Sequence, residues 1–206
     1  MQDFLTKPKR SLKKNSTQKL IVTYGGSFGL ANALDPLMQL LLNQKELYDK
    51  IHFNLIGSGY LKEHYAQRLM DFNNITLMEK IKRSEFMKYL LISDLAFISI
   101  KNVPELYKYG VSAQKYYDYM AAGIPILSAQ NAINDLVRQC GCGIIVKNKP
   151  EAIRNGLHQF IAMDELERKK MGQKGKDFVK KFTYEKLSKK NIKVFNVLDF
   201  KSTPLS

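Results

Sequence analysis

The feature that most constrains this chain is a phrase that returns along its length: a short aliphatic or β-branched run, a turn, then apolar residues at helical spacing. Leu20–Tyr24 ends in Gly25-Gly26, and apolar positions recur at helical intervals from Leu34 to Leu42. Ile51–Ile56, Gly57-Ser58-Gly59 and a helical stretch from Tyr60 to about Phe72 repeat it. Ile75–Leu77 leads to a helix over 84–91, and Leu95–Ile100 leads into a longer loop. A helix over 114–122 precedes a strand at Ile124–Leu127, and one over 133–139 precedes a strand at Gly143–Val146. Beyond Pro150 the spacing is helical through 151–162, 164–181 and 184–198. Roughly six strands alternating with helices, with no hairpin signal between them, predict an α/β, Rossmann-like parallel sheet covered on both faces.

A length of 206 residues predicts one such domain, or at most a tight pair. The expected organisation is a lead-in or linker over 1–18, rich in Lys, Ser, Thr and Asn, a folded body over 19–200 and a tail over 201–206. The longest apolar runs, Leu37–Leu42 and Leu95–Ile100, fall far short of the roughly 20 residues that span a bilayer. No secretory signal pattern opens the chain, so a cytoplasmic location is expected, with the inner face of the membrane as the alternative. Cys140 and Cys142 are separated by one residue, awkward for a disulfide and too few for zinc, and read as reduced structural thiols.

The net charge of +14 is concentrated at the flanks. Six basic side chains stand against Asp3 in residues 1–19, and eleven basic against four acidic in 165–193, while 20–164 holds 15 basic and 13 acidic residues. The basic lead-in lacks interleaved aromatics, and no zinc-finger, RNP or KH pattern occurs, which argues against nucleic acid. Such segments suit either plain solvation or an anionic membrane surface.

Ligands of open parallel sheets bind beyond the carboxyl ends of the strands, so the loops there are where function is sought. Gly25-Gly26-Ser27-Phe28-Gly29 could bring backbone amides close to a phosphate, although it matches neither a dinucleotide fingerprint nor a P-loop. Gly57-Ser58-Gly59 is equally explained as a turn in which Ser58 caps the next helix. The segment from Gly110 to Pro125 says more, because a glycine and a serine precede a helix carrying Lys115 and Asp118. Its free N–H groups with Lys115 can hold an anion, and Asp118 can accept bonds from hydroxyls such as those of a ribose. A surface ion pair between Lys115 and Asp118 explains the same spacing. His52, His64 and His158 lack ligand spacing, and no Asp-x-Asp pair occurs, so no metal is expected.

Together YGGSFG followed by Leu34-Asp35, Ile56-Gly57-Ser58-Gly59, Ser93-Asp94-Leu95 and Tyr119-Met-Ala-Ala-Gly-Ile-Pro125 resemble a known pattern. It is that of the C-terminal, donor-binding half of retaining family 4 glycosyltransferases of GT-B architecture, and the likeness runs from about Leu20 to Leu198. The most similar subgroup builds bacterial surface polysaccharides such as O-antigen or capsule. By that resemblance the donor is a nucleotide sugar, most naturally a UDP-sugar, its hexose or N-acetylated amino sugar is transferred with retention, and no separate cofactor is needed. Of the two family glutamates spaced by seven residues, the second, a ribose contact, falls on Asp118 and the first on Gly110. The family's diphosphate-clamping Arg and Lys fall on Ser27 and Asn32. Lys115, the amides of Val111, Ser112 and Ala113, and donors from Gly26 and Ser27 are then the expected diphosphate contacts, with the base near Lys80 and Ile81.

The family's acceptor-binding N-terminal domain and its catalytic residues have no counterpart in this chain, so the expected partners are such a domain or a separate subunit. A lipid-linked acceptor at an anionic membrane follows from the same likeness. Isolated, the chain is expected to bind donor without turning it over. The rival expectation is a non-catalytic, membrane-associated interaction module on the same fold.

Overall fold

The computed structural model describes residues 19–43, 47, 49–101, 103, 114–130 and 135–182. Gly110, the expected phosphate-binding amides of Val111, Ser112 and Ala113, the lead-in over 1–18, the helix expected over 184–198 and the tail over 201–206 lie outside them.

Six strands, β1 (Leu20–Gly25), β2 (Ile51–Ile56), β3 (Ile75–Met78), β4 (Leu95–Ser99), β5 (Ile126–Ala129) and β6 (Gly143–Val146), form one sheet in the order β3-β2-β1-β4-β5-β6. Every pairing is parallel. The connecting helices are α1 (Asp35–Asn43), α2 (Lys62–Leu69), α3 (Arg83–Ile92), α4 (Gln114–Ala122) and α5 (Leu136–Cys140), followed by α6 (Pro150–Ala162) and α7 (Glu165–Val179). This is the order of doubly wound dinucleotide folds, which reverses between β1 and β4.

Burial explains why the strands read as continuous apolar runs: all of β4, Leu95-Ala-Phe-Ile-Ser99, is buried. Its alternate side chains enter two separate cores. Leu95 and Phe97 pack with β1, β2 and helices α1, α2 and α6, whereas Ala96 and Ile98 pack with α3, α4 and α5. Helix α7 seals the second face by lying against α4 at close range. A Cβ on Gly172 would stand 2.1 Å from the Gly123 carbonyl oxygen, and one on Gly175 would stand 3.1 Å from the Cβ of Cys142. Both cysteines are free, Cys142 buried and Cys140 half-buried. The Ser93-Asp94 pair ties β4 to β1: Asp94 accepts from the Ile21 amide at 2.9 Å, and Ser93 Oγ lies 2.6 Å from Thr23 Oγ1.

Two local expectations are corrected. β5 begins at Ile126, two residues later than Ile124, because Gly123 ends α4 in the left-handed conformation (φ 72°) and Pro125 has no N–H for the ladder. Ser58 does not cap α2, which starts at Lys62 with Leu61 at the N-cap and no side-chain cap bond. Ser58 instead offers its carbonyl to the Phe28 amide at 2.8 Å.

Candidate functional site

Where the strand order reverses, the turns after β1 and β2 lie backbone against backbone. Gly26 N donates to Ile56 O at 3.0 Å, and the Phe28 carbonyl accepts from Leu61 N at 3.1 Å. A Cβ on Gly57 would fall 1.7 Å from the Gly26 carbonyl oxygen, and one on Gly59 would fall 2.5 Å from Phe28 O. These glycines are therefore required by the approach of one turn to the other, before any ligand is considered. On the far side a Cβ on Gly25 would meet the Phe86 ring of α3 at 2.1 Å. Tyr119 of α4 locks the first turn in place, since its Oη accepts from Gly25 N at 2.9 Å and lies 3.3 Å from Gly25 O. Tyr24 Oη donates to Ser27 O at 2.8 Å. Burial raises the pKa of both phenols, Tyr24 and Tyr119, so they remain protonated donors.

Helix α4 supplies the charges. Lys115 points across the first turn, and its Nζ donates to Asn32 Oδ1 at 2.7 Å and stands 5.1 Å from the Tyr24 ring centroid. The Asn32 amide donates in turn to Ser27 O at 2.9 Å. The position at which the resemblance has a lysine thus carries, in Asn32, the group that holds a lysine from another element. Lys115 forms no ion pair with a carboxylate among the described residues, and burial lowers its pKa to about 8. A buried ammonium held only by neutral groups is a cation that an anionic ligand would complete.

Asp118, one turn further along α4, is 8% exposed and forms its ion pair with Arg83, at the start of α3. The surface pair expected as the alternative, Lys115 with Asp118, does not form; each side chain has a different partner. Arg83 was not legible as a site residue. The signal that could have found it is its place at the start of the helix that follows β3, close in sequence to Lys80 and Ile81.

A cleft of about 410 Å³ joins these groups at the carboxyl ends of the strands. Gly26, Ser27, Lys80, Ile81, Lys115 and Asp118 all line it, with Gly57, Ser58, Phe86 and Arg83. The sequence-derived contacts among the described residues are therefore brought together. Chemically the cleft offers backbone donors, the basic side chains of Lys80, Arg83 and Lys115, and the carboxylate of Asp118. No cluster of three or more His, Cys, Asp or Glu with metal-binding geometry occurs among the described residues.

Residues 35–190 match the family model described as glycosyl transferase-like. The chain belongs to that family. An uncharacterized glycosyltransferase of Methanocaldococcus jannaschii is 27% identical over 196 residues, covering 86% of this chain and 54% of its own length. The chain thus spans about half the length of the curated relative it matches. Among solved structures, sucrose-phosphate synthase from Thermosynechococcus elongatus superposes with a TM-score of 0.70 at 15% identity over 88% of this chain and 46% of its own. Anabaena HepE, solved in complex with UDP and glucose, gives 0.62 at 12% identity over 88% and 48%. Both likenesses establish the GT-B type of Rossmann-like fold for this family member.

Proposed function

We propose that residues 19–200 of this glycosyl transferase-like chain form the donor-binding domain of a hexosyltransferase that uses a UDP-sugar. The carrying observation is the cleft at the sheet's reversal, where Lys115 lacks an anionic partner among the described residues and faces Asp118 across one turn of α4. In this reading the diphosphate lies on the first glycine turn against Gly26, Ser27 and Lys115, and the amides of Val111, Ser112 and Ala113, which precede α4 in the sequence, are its further proposed donors. Asp118 accepts from the ribose, and Lys80 and Ile81 flank the base. The HepE structure, solved with UDP and glucose, supports the choice of nucleotide by fold likeness, and the GVSAQKYYDYMAAGIP segment supports it by motif.

The mechanism follows from what such a site stabilises. Cleavage of the bond between the sugar's anomeric carbon and the diphosphate leaves negative charge on the β-phosphate. Lys115, amides and the α4 dipole would stabilise that charge more in the transition state than in the bound donor. Transfer with retention, a role in O-antigen or capsule synthesis, an acceptor-binding half on another segment or subunit, and attachment to anionic membrane through the basic flanks complete the proposal. Among the described residues no helix is long and apolar enough to cross a membrane.

Calorimetric titration of the folded 206-residue chain with UDP, ADP and GDP in EDTA tests the reading. Metal-independent binding selective for UDP is expected. A folded sample that binds none of the three would leave the non-catalytic interaction module as the better account.

A further inference from the structure

Asp118 is held through one of its two oxygens. Arg83 Nε donates to Oδ1 at 2.9 Å and Nη2 donates to the same atom, while Oδ2 accepts no hydrogen bond among the described residues. Two N–H donors use the acceptor sites of Oδ1, and Oδ2 keeps both of its own. The Asp118 side chain is 11% exposed and lines the cleft, so its remaining oxygen serves that space. Arg83 itself has 67% of its side chain exposed, where an ion pair contributes little to folding. Its geometric effect is larger: a planar fork converging on one oxygen fixes the rotation of a carboxylate that would otherwise present either oxygen.

We infer that Arg83 is the positioning residue of the ribose subsite, occupying Oδ1 so that Oδ2 is preset to accept from the ribose 2′- and 3′-hydroxyls. The inference rests on the donor-site reading above. It assigns to the first residue of α3 a part in recognising the sugar of the nucleotide, through Asp118 and without contact of its own.

The test compares UDP, 2′-deoxy-UDP and 3′-deoxy-UDP by calorimetry on the wild-type chain, Arg83→Ala, Arg83→Lys, Asp118→Asn and the Arg83→Ala/Asp118→Asn double variant, with melting curves as the fold control. Wild type should prefer UDP over the deoxy nucleotides by about fivefold or more, the scale of one hydrogen bond to a charged acceptor. Arg83→Ala should cut that preference to about twofold or less while binding of the deoxy nucleotides changes little. Arg83→Lys, which keeps the charge and loses the fork, should fall between them. In the double variant the loss should be no greater than in Asp118→Asn alone. An equal loss for all three nucleotides with the preference intact, or additive losses in the double variant, would overturn the inference. If Arg83→Ala melts lower, Arg83→Lys decides: a preference at least halved supports positioning, and an intact one overturns it. Failure of the folded wild type to bind UDP would overturn the donor reading and this inference together, whereas UDP binding with preference untouched in both Arg83 variants overturns this inference alone.

Discussion

The two walls of the cleft are made in different ways. The wall toward β2 is backbone on backbone: the turns after β1 and β2 approach so closely that side chains at Gly57 and Gly59 would occupy carbonyl positions. The wall toward α3 and α4 is built from long side chains, Lys115, Asp118 and Arg83, each held by a residue from another element. The first wall sets where a ligand can lie and the second sets what the ligand must be. Substitutions on the first should therefore cost stability and binding together, and those on the second should cost binding with little change in stability.

The largest effect is expected from Gly57→Ala. A methyl group 1.7 Å from the Gly26 oxygen forces the turns apart. We expect a loss of roughly 3 kcal/mol or more, a fall of about 6–12 °C in melting temperature for a chain of this size, and no measurable UDP binding. A variant that melts and binds like wild type would show that the first wall is loosely packed.

Next is Lys115→Ala. Removing a charge-assisted contact to diphosphate should weaken UDP by about 10- to 100-fold and leave uridine, which has no phosphate, unaffected. Equal losses for both ligands would place Lys115 elsewhere than beside the phosphates.

Raising the pH should reach the same contact more gently. Because burial holds the Lys115 pKa near 8, the free protein loses this proton as pH rises past that value, and the charge needed by the diphosphate is lost with it. UDP affinity should fall about twofold between about pH 7 and 8 and up to about tenfold by pH 9, with no such fall in Lys115→Ala. Stability should move the other way. Between about 8 and the ordinary lysine value of 10.5 the unfolded chain binds more protons than the folded one, so this group's contribution to stability rises with pH. Isothermal titration and thermal melts across that range check both signs.

The smallest expected effect is from Asp118→Asn, a severalfold loss of UDP affinity, about 3- to 10-fold, with 3′-deoxy-UDP weakened much less. Parallel loss for both would remove Asp118 from the ribose.

Much of the first wall was legible in the chain because its information is local. Apolar runs, glycines and helical spacing placed all six strands within two residues, and the topological rule for parallel sheets pointed to the loops that line the cleft. The misplaced start of β5 came from reading Ile124 as strand when the left-handed Gly123 and the missing N–H of Pro125 delay the ladder. The second wall was legible in residue type and not in pairing. Lys115 and Asp118 stood out, yet their spacing of three suggested that they bond to one another. Tertiary packing instead joins Lys115 to Asn32, 83 residues away, and Asp118 to Arg83, 35 residues away. No local pattern encodes such separations, which is why Arg83 was missed and why Asn32 read as a lost lysine rather than as the acceptor for one.

The most direct test of the account is to map bound UDP onto the chain by following backbone amide resonances during titration. The account predicts that the shifts concentrate on Gly26, Ser27, Gly57 and Lys115–Asp118, on both walls of the cleft at the carboxyl ends of the strands. Shifts confined to another surface, such as the groove between α2 and β3 lined by Met70 and Leu77, would contradict it.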